Sequence, residues 1–253
     1  MRPAIIVRDL SKRFKRRNPN RPHTFQEAII SGWRNMRISE TLWALQDINF
    51  TVLPGQMLGV IGNNGSGKST LVHVLSGVIQ PDSGSVDTSG RIGALFDIGA
   101  GFHVELTGRE NACVGGVVSG LRRAQVRERL DDIFHFAELE SFSENPLRTY
   151  STGMRMRLAM AVALHTDPQI LLIDEHLSVG DRAFQVKCLD RIARLRAQGC
   201  AVVFISHNMD QVREHCDRVL RLHVGKVVAY GNPDQVVDEY ESDEPLEIPH
   251  AGR

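Results

Sequence analysis

Gly62-Asn63-Asn64-Gly65-Ser66-Gly67-Lys68-Ser69-Thr70 fits the pattern G-x-x-x-x-G-K-[ST]. The apolar run Met57-Leu58-Gly59-Val60-Ile61 leads into it, and Leu71-Val72-His73-Val74-Leu75 comes next with helical potential. The context is therefore strand, glycine loop, helix. Glycines let backbone N–H groups converge on phosphate oxygens at a helix N-terminus, where the dipole also favours negative charge. In that arrangement Lys68 supplies positive charge to the outer phosphates. Ser69 offers its hydroxyl to Mg²⁺. An accidental glycine-rich turn carrying a lysine would not fill every fixed position in this context.

The 253 residues allow one large domain, or one with an appendage. Hydrophobic residues make up 42% of the chain, as in ordinary globular proteins. Thirty basic and thirty acidic side chains cancel, so no global charge draws the chain to nucleic acid or anionic membrane. The longest apolar runs, Ile170 to Ile173 and Ala201 to Ile205, fall far short of the ~20 residues of a transmembrane helix. The apolar stretch near Met1 is too short for a secretory signal. The cytosol is the expected location, with docking onto a membrane protein left open. Cys113, Cys188, Cys200 and Cys216 form no C-x-x-C pair, which favours free thiols in a reducing compartment over a zinc site.

Ala4 to Val7 reads as a first strand. Phe14, close after its end, could stack on an adenine ring or simply pack on the sheet edge. Trp43, nearer the glycine loop, is the other candidate platform. The segment 12–37 is strongly basic, with Lys12, Arg13, Lys15, Arg16, Arg17, Arg21, Arg34 and Arg37 against one acid, Glu27. Within it Phe25, Ile29, Ile30, Trp33 and Met36 fall near helical spacing. This basic insertion, about residues 12–40, reads either as an amphipathic helix meeting a membrane or membrane partner, or as a helix packed on its own domain. Trp43 to Leu53 reads as a strand, Ser85–Asp87 and Gly90–Leu95 as short antiparallel strands, and Asp97 to Leu106 as a flexible loop. Helical patterns run from Thr107 to Leu164, broken by a connector at Pro146 to Tyr150, and Ser151 is placed to cap the helix that begins at Met154. Ile170–Glu175 and Ala201–Ile205 read as buried parallel strands. Val219–Leu222 and Lys226–Tyr230 form a hairpin, a helix spans Asp234–Tyr240, and 241–253 is a flexible tail.

Strand ends deliver three sets of polar groups: the glycine loop, Asp174-Glu175 and His207. In an open α/β sheet, ligands sit beyond the carboxyl ends of the strands, so these groups can converge. Asp174 is the natural partner for Mg²⁺, directly or through water. Glu175, one residue further, can act as general base on an attacking water. His207 could hydrogen-bond the γ-phosphate or that water; taken alone it would read as a helix cap.

Tyr150-Ser151-Thr152-Gly153-Met154 separates hydrolysis from phosphoryl transfer to a small molecule. Continued through Ala159, it looks like the signature of ATP-binding-cassette (ABC) ATPases. Ser178-Val179-Gly180-Asp181 occupies the D-loop position, and Ile205-Ser206-His207 looks like the switch-histidine segment. With the phosphate loop, these match that family in order and spacing over nearly the whole chain. The resemblance implies an α/β fold, a P-loop NTPase of the ABC cassette type: a mixed-sheet core with an antiparallel β subdomain and a helical subdomain. The nucleotide-binding domain would span 1–240, with the helical subdomain at about 100–165. It further implies ATP and Mg²⁺ as cofactors, bound between two copies arranged head to tail. Ser151 and Gly153 of one copy would complete the site built on Lys68 of the other. It favours Phe14 over Trp43 as the adenine platform. Where most cassettes carry a glutamine that contacts Mg²⁺ and the water, this chain has Asp97, or Ile98 with a one-residue gap; Asp97 has the chemistry to bind through water. Thr152 and Met154 also stand where many cassettes have glycine and glutamine.

The Y-S-T-G-M-R signature, the stretch Gly99 to Asn111 and the D-loop ending Val179-Gly180-Asp181 resemble a narrower group. These are the cassettes of O-antigen, capsule and teichoic-acid exporters. That likeness implies an ATPase that energises export of a lipid-linked polysaccharide. It would work with a separate integral membrane permease on the cytoplasmic face of the membrane, without nucleic acid. The segments 102–106 and 12–37 would meet the permease. Ending at Arg253, the chain resembles the short form of these proteins, without a C-terminal glycan-binding domain. An ABC ATPase of a drug or lipid exporter, or a soluble one acting on nucleic acid or ribosomes, are the alternatives.

Overall fold

A computed structural model describes residues 2–15, 41–95, 101–174 and 181–243. In chain order the elements are β1 (Ile5–Lys15), β2 (Thr41–Val52), β3 (Met57–Ile61), α1 (Lys68–Leu75), β4 (Ser83–Thr88), β5 (Ile92–Leu95), α2 (Gly108–Val118), α3 (Arg123–Ala137), α4 (Thr152–Leu164), β6 (Ile170–Asp174), α5 (Arg182–Ala197), β7 (Ala201–Ile205), α6 (Met209–His215), β8 (Arg218–His223), β9 (Lys226–Gly231) and α7 (Pro233–Ser242). The main sheet has six strands in the order β5-β6-β7-β3-β8-β9, parallel except for β9. A second, antiparallel sheet has the order β2-β1-β4.

The apolar runs of the central strands divide their side chains between two cores. Met57, Ile61, Leu171, Ile173, Val202 and Phe204 join a core closed by α2 to α5. Leu58, Val60, Ile170, Leu172, Val203 and Ile205 join the other, closed by β1, β2 and α1. A strand buried on both faces needs apolar residues at every position, which is why these runs do not alternate with polar ones. At Gly59 an added Cβ would sit 2.9 Å from Cys216 Sγ and 3.3 Å from Val212, so the approach of α6 excludes any larger residue.

Two strand readings need correction. Ile92–Leu95 pairs with β6 in parallel and belongs to the main sheet. Four residues carry no local mark of pairing direction; the crossover through α2, α3 and α4 sets it. Phe14 lies inside β1, which continues to Lys15, and does not come after the strand's end. The strand kinks at Asp9, φ 48°, where Asp9 N–H donates to Asn49 Oδ1 at 2.9 Å, and its register with β2 slips between Val7 and Arg13. Those irregularities break the alternation that would have marked the strand's second half.

The segment 103–164 is helical apart from its connecting loops. Thr107 and Glu110 form a capping box at α2. Ser151, Asp181, Asn208 and Asn232 each accept a backbone hydrogen bond at the start of α4, α5, α6 and α7. Among the described residues no helix is long and apolar enough to cross a membrane. The basic insertion from Arg16 onward and the tail from residue 244 lie outside the described residues.

Candidate nucleotide site

The register of the main sheet sets the site. Val60 and Asp174 both pair with Ile205, so these three residues stand level on adjacent strands about 4.8 Å apart. Just beyond that line β3 opens into Gly62, β6 ends at Asp174, and β7 ends at Ile205, directly before Ser206 and His207. The phosphate loop, Asp174 and His207 therefore emerge together at one carboxyl edge. Glu175 and Asp97 lie outside the described residues.

The loop is held from both sides by backbone. Gly62 has φ 146° and Gly67 φ 110°; a Cβ would meet Leu222 O at 2.2 Å in the first and Ala44 O at 2.4 Å in the second. Only glycine fits there. Gly65, at φ 78°, has nothing within 4 Å of such an atom and marks the open tip. Ser66 N–H donates to Asn63 O at 3.1 Å, and Gly225 N–H donates to Ser66 O at 2.9 Å. Lys68 is buried, and its Nζ donates to Gly62 O at 2.7 Å and Asn63 O at 3.2 Å. The ammonium thus curls back across the loop that should cradle phosphate.

The cradle fits a nucleotide phosphate on three counts. Helix α1 starts with no side-chain cap and no acid in its first turn, which leaves its N-terminal field available to an anion. The Ser66 hydroxyl is buried without a hydrogen-bond partner among the described residues, a deficit that a polar ligand would relieve. Asn64, Gly65 and Ser69 are exposed, and Asn63, Gly67 and Thr70 are half-buried, so the loop opens to solvent above Lys68. Among the described residues no group of three or more His, Cys, Asp or Glu could hold a metal ion. The donors at this edge are the Ser69 hydroxyl and the half-buried Asp174 carboxylate. One carboxylate plus a hydroxyl, completed by substrate phosphates and water, suits Mg²⁺.

His207 is exposed, and it does not cap the helix that comes next. Asn208 does that, its Oδ1 accepting from Gln211 N–H at 3.1 Å, while buried Ser206 Oγ accepts from Asn208 N–H at 3.0 Å. The imidazole is thereby left at the sheet edge. Phe14 and Trp43 are comparably exposed, at 41% and 40%. Lys12 Nζ lies 5.7 Å from the Phe14 ring centre, and the Arg13 guanidinium 5.5 Å from that of Trp43. The geometry does not separate the two as platforms.

The signature segment is anchored at one end and bare at the other. Tyr150 is buried; its hydroxyl donates to Phe142 O at 2.6 Å and sits where any side chain at Gly108 would be. Burial, reinforced by the Glu144 charge, raises the pKa of that phenol. Ser151 Oγ accepts from Met154 N–H at 3.2 Å, as expected of a cap. Ser151, Thr152 and Gly153 are exposed, the first turn of α4 holds no acid, and a Cβ on Gly153 would meet only Ser151 Oγ, at 3.9 Å. Helix α4 packs on α2, α3, α5 and β5, whereas α1 packs on β2, β4 and β6. Lys68 and Ser151 thus belong to different parts of the molecule.

Three further residues near this machinery have roles that the sequence alone does not assign. Arg157 of α4 bonds Glu138 Oε2 at 2.7 Å and Asp181 Oδ2 at 2.6 Å, with its guanidinium 4.8 Å from the Phe184 ring centre. Asn111 is fully buried; its Nδ2 donates to the carbonyls of His103, Leu106 and Thr107, and its Oδ1 accepts from His103 N–H, which fixes the loop 103–107. Tyr240 of α7 touches the phosphate loop itself.

Comparison with known proteins agrees with this geometry. Residues 45–178 match the ABC transporter family. The O-antigen export system ATP-binding protein RfbB of Myxococcus xanthus is 43% identical over 94% of this chain and 55% of its own length. RfbB of Klebsiella pneumoniae is 42% identical over 78% of this chain and 80% of its own. The teichoic acids export ATP-binding protein TagH of Lactiplantibacillus plantarum is 43% identical over 78% of this chain and 54% of its own. The chain thus spans only about half the length of the Myxococcus and Lactiplantibacillus relatives. A solved ATP-binding subunit of an ABC transporter superposes with a TM-score of 0.74 at 23% identity, covering 94% of this chain and 93% of its own. A dimeric ATP-binding cassette in a post-hydrolysis state, bound to ADP and phosphate, does so with a TM-score of 0.71 at 22% identity, covering 90% and 98%. The mixed six-stranded sheet, the antiparallel sheet and the helical segment carrying Ser151 are the cassette fold, and the chain belongs to the ABC transporter family.

Proposed function

We propose that this chain is the ATP-hydrolysing subunit of an exporter for a lipid-linked, O-antigen-like polysaccharide. It works with a separate integral membrane subunit at the cytoplasmic face of the membrane. The observation that carries the ATPase reading is the pairing of a glycine cradle around Lys68 with an exposed helix start at Ser151 that the same chain leaves open to solvent. The substrate class rests on the likeness to O-antigen and teichoic-acid export proteins.

On this reading the loop N–H groups hold the phosphates, and Lys68 exchanges the carbonyls of Gly62 and Asn63 for phosphate oxygens. Phe14 stacks on the adenine. Ser69 and Asp174, with Asp97 through water, would hold Mg²⁺, which when bound neutralises phosphate charge. Glu175 accepts a proton from the attacking water. The water oxygen bonds to the γ-phosphorus as the β–γ bridging bond breaks, leaving ADP and inorganic phosphate. His207 hydrogen-bonds the γ-phosphate. A second copy, head to tail, adds Ser151 Oγ and the N–H groups of Thr152 and Gly153 to the γ-phosphate, because an exposed helix N-terminus with no acid in its first turn stabilises an anion. Closure is favoured while that anion joins the two copies and is lost after hydrolysis, so the membrane subunit feels an alternation between two states.

The Glu175→Gln variant tests the site. It should run as a dimer on gel filtration in MgATP and as a monomer in MgADP; only monomer under both conditions would sink the proposal. Export of labelled glycan in a strain lacking this chain tests the substrate. The wild-type chain should restore export and Lys68→Ala should not.

A further inference from the structure

Tyr240 stands 177 residues from Asn63, yet its hydroxyl donates to Asn63 Oδ1 at 2.9 Å. Asn63 is the second residue of the phosphate loop, and its carbonyl receives Lys68 Nζ. The Arg221 guanidinium lies 5.2 Å from the Tyr240 ring centre. Arg221 stands on β8, paired with Ile61 at the mouth of the loop, and is only 7% exposed. A charge buried in a core strand is costly unless it is paired. Here Nη1 meets Asp243 Oδ2 at 2.5 Å and Glu239 O at 3.4 Å, both at the end of α7. Asp243, Arg221, Tyr240, Asn63 and Lys68 thus form one continuous series of contacts from the last turn of α7 to the phosphate-binding ammonium.

Anchoring of α7 does not require this series. Val236 and Val237 are buried in the core, and Arg213 of α6 staples the helix through Asp234, Asp238 and Glu241. We propose that Tyr240 is a positioning residue of the nucleotide site. It fixes the Asn63 end of the phosphate loop, Arg221 holds its ring, and α7 thereby sets the affinity for nucleotide. This rests on the reading of the loop as an ATP site.

The test is equilibrium binding of a fluorescent ATP analogue with Mg²⁺, together with hydrolysis and thermal midpoints, for the wild-type chain, Tyr240→Phe, Asn63→Ala and the double variant. Tyr240→Phe removes one hydrogen bond and keeps the ring. It should weaken binding and raise KM by about two- to tenfold, with kcat within about twofold and the thermal midpoint nearly unchanged. The double variant should bind no worse than the weaker single one, because both remove the same contact. Wild-type affinity in Tyr240→Phe, additive losses in the double variant, or a loss of affinity matched by a loss of thermal stability would each overturn the proposal. A wild-type chain that binds no MgATP would overturn the ATP reading as well; normal wild-type binding with an unaffected Tyr240→Phe overturns the positioning role alone.

Discussion

Arg157 and Asp181 meet at 2.6 Å across 24 residues of sequence, joining the signature helix to the residue that caps α5. Asp181 uses Oδ1 to accept from Phe184 N–H and Oδ2 for Arg157. The backbone hydrogen bond first, and the Arg157 charge after it, hold the Asp181 carboxyl below the usual carboxylate range. Because Ser151 begins the same helix, Arg157 fixes the signature turn relative to the D-loop's last residue. Arg157→Met should leave nucleotide binding by the separate chain within about twofold and lower turnover by about tenfold or more; about tenfold is the loss expected from a disturbance near 1.4 kcal/mol at the reacting centre. Arg157→Lys should recover little, since it lacks the planar fork that spans Glu138 and Asp181. Binding assays beside steady-state hydrolysis would check this.

Two glycines of one loop should respond differently to alanine. At Gly65 the cost is the positive φ alone, about 1–2 kcal/mol, because the space beside it is open. At Gly67 the added carbon would also stand 2.4 Å from Ala44 O, so β2 or the loop must shift. Gly65→Ala is expected to stay folded with measurable MgATP binding, and Gly67→Ala to lose binding and melt at a lower temperature. Differential scanning fluorimetry with and without MgATP would show the contrast.

Gly153→Asp separates folding from function. The substituted side chain enters open space and puts a negative charge in the first turn of α4, which favours the helix by about 0.3–1 kcal/mol. The thermal midpoint should hold or rise. The same charge would repel a γ-phosphate presented by a second copy. Turnover should therefore fall by about tenfold or more, while nucleotide binding to the Lys68 site persists. Loss of that binding would mean that Ser151 and Gly153 serve their own chain's loop.

Stability should fall on mild acidification through His165. Its imidazole packs edge-on against Phe136 with ring centres 5.0 Å apart, and Nδ1 lies 2.7 Å from Ala161 O. Burial lowers its pKa from 6.5. The folded chain therefore holds the neutral ring, while the unfolded chain takes up a proton more readily. That contribution is complete above pH 6.5 and is lost as pH falls through the lower folded value. His165→Gln should show a smaller fall in thermal midpoint between about pH 8 and about pH 5.5 than the wild-type chain.

Local chemistry made much of this molecule legible. Gly62 to Thr70 specified its own conformation because each glycine answers a steric demand. The apolar runs ending at Asp174 and Ile205 announced buried parallel strands. The capping serine announced its helix. The features that stayed hidden are set by distance along the chain. The direction of Ile92–Leu95 depends on a crossover of more than seventy residues. Arg157 reads as an ordinary helical cation until Glu138 and Asp181 fold against it. Tyr240 and Asn63 carry no pattern that would pair them. The kink at Asp9 likewise hid half of β1, since alternation fails wherever a bulge inserts a residue.

If a second copy's nucleotide is completed by the exposed first turn at Ser151, as proposed above, this chain's chemistry is a matter of encounter. On the proposed head-to-tail arrangement each copy would carry one half of what hydrolysis needs, so in dilute solution the rate per chain should climb with protein concentration. Two copies mounted side by side on a membrane subunit would escape that dependence, since confinement supplies an effective concentration free solution lacks. On that arrangement a weak intrinsic affinity between copies would be an advantage: ATP would be spared wherever no transporter holds two of them together.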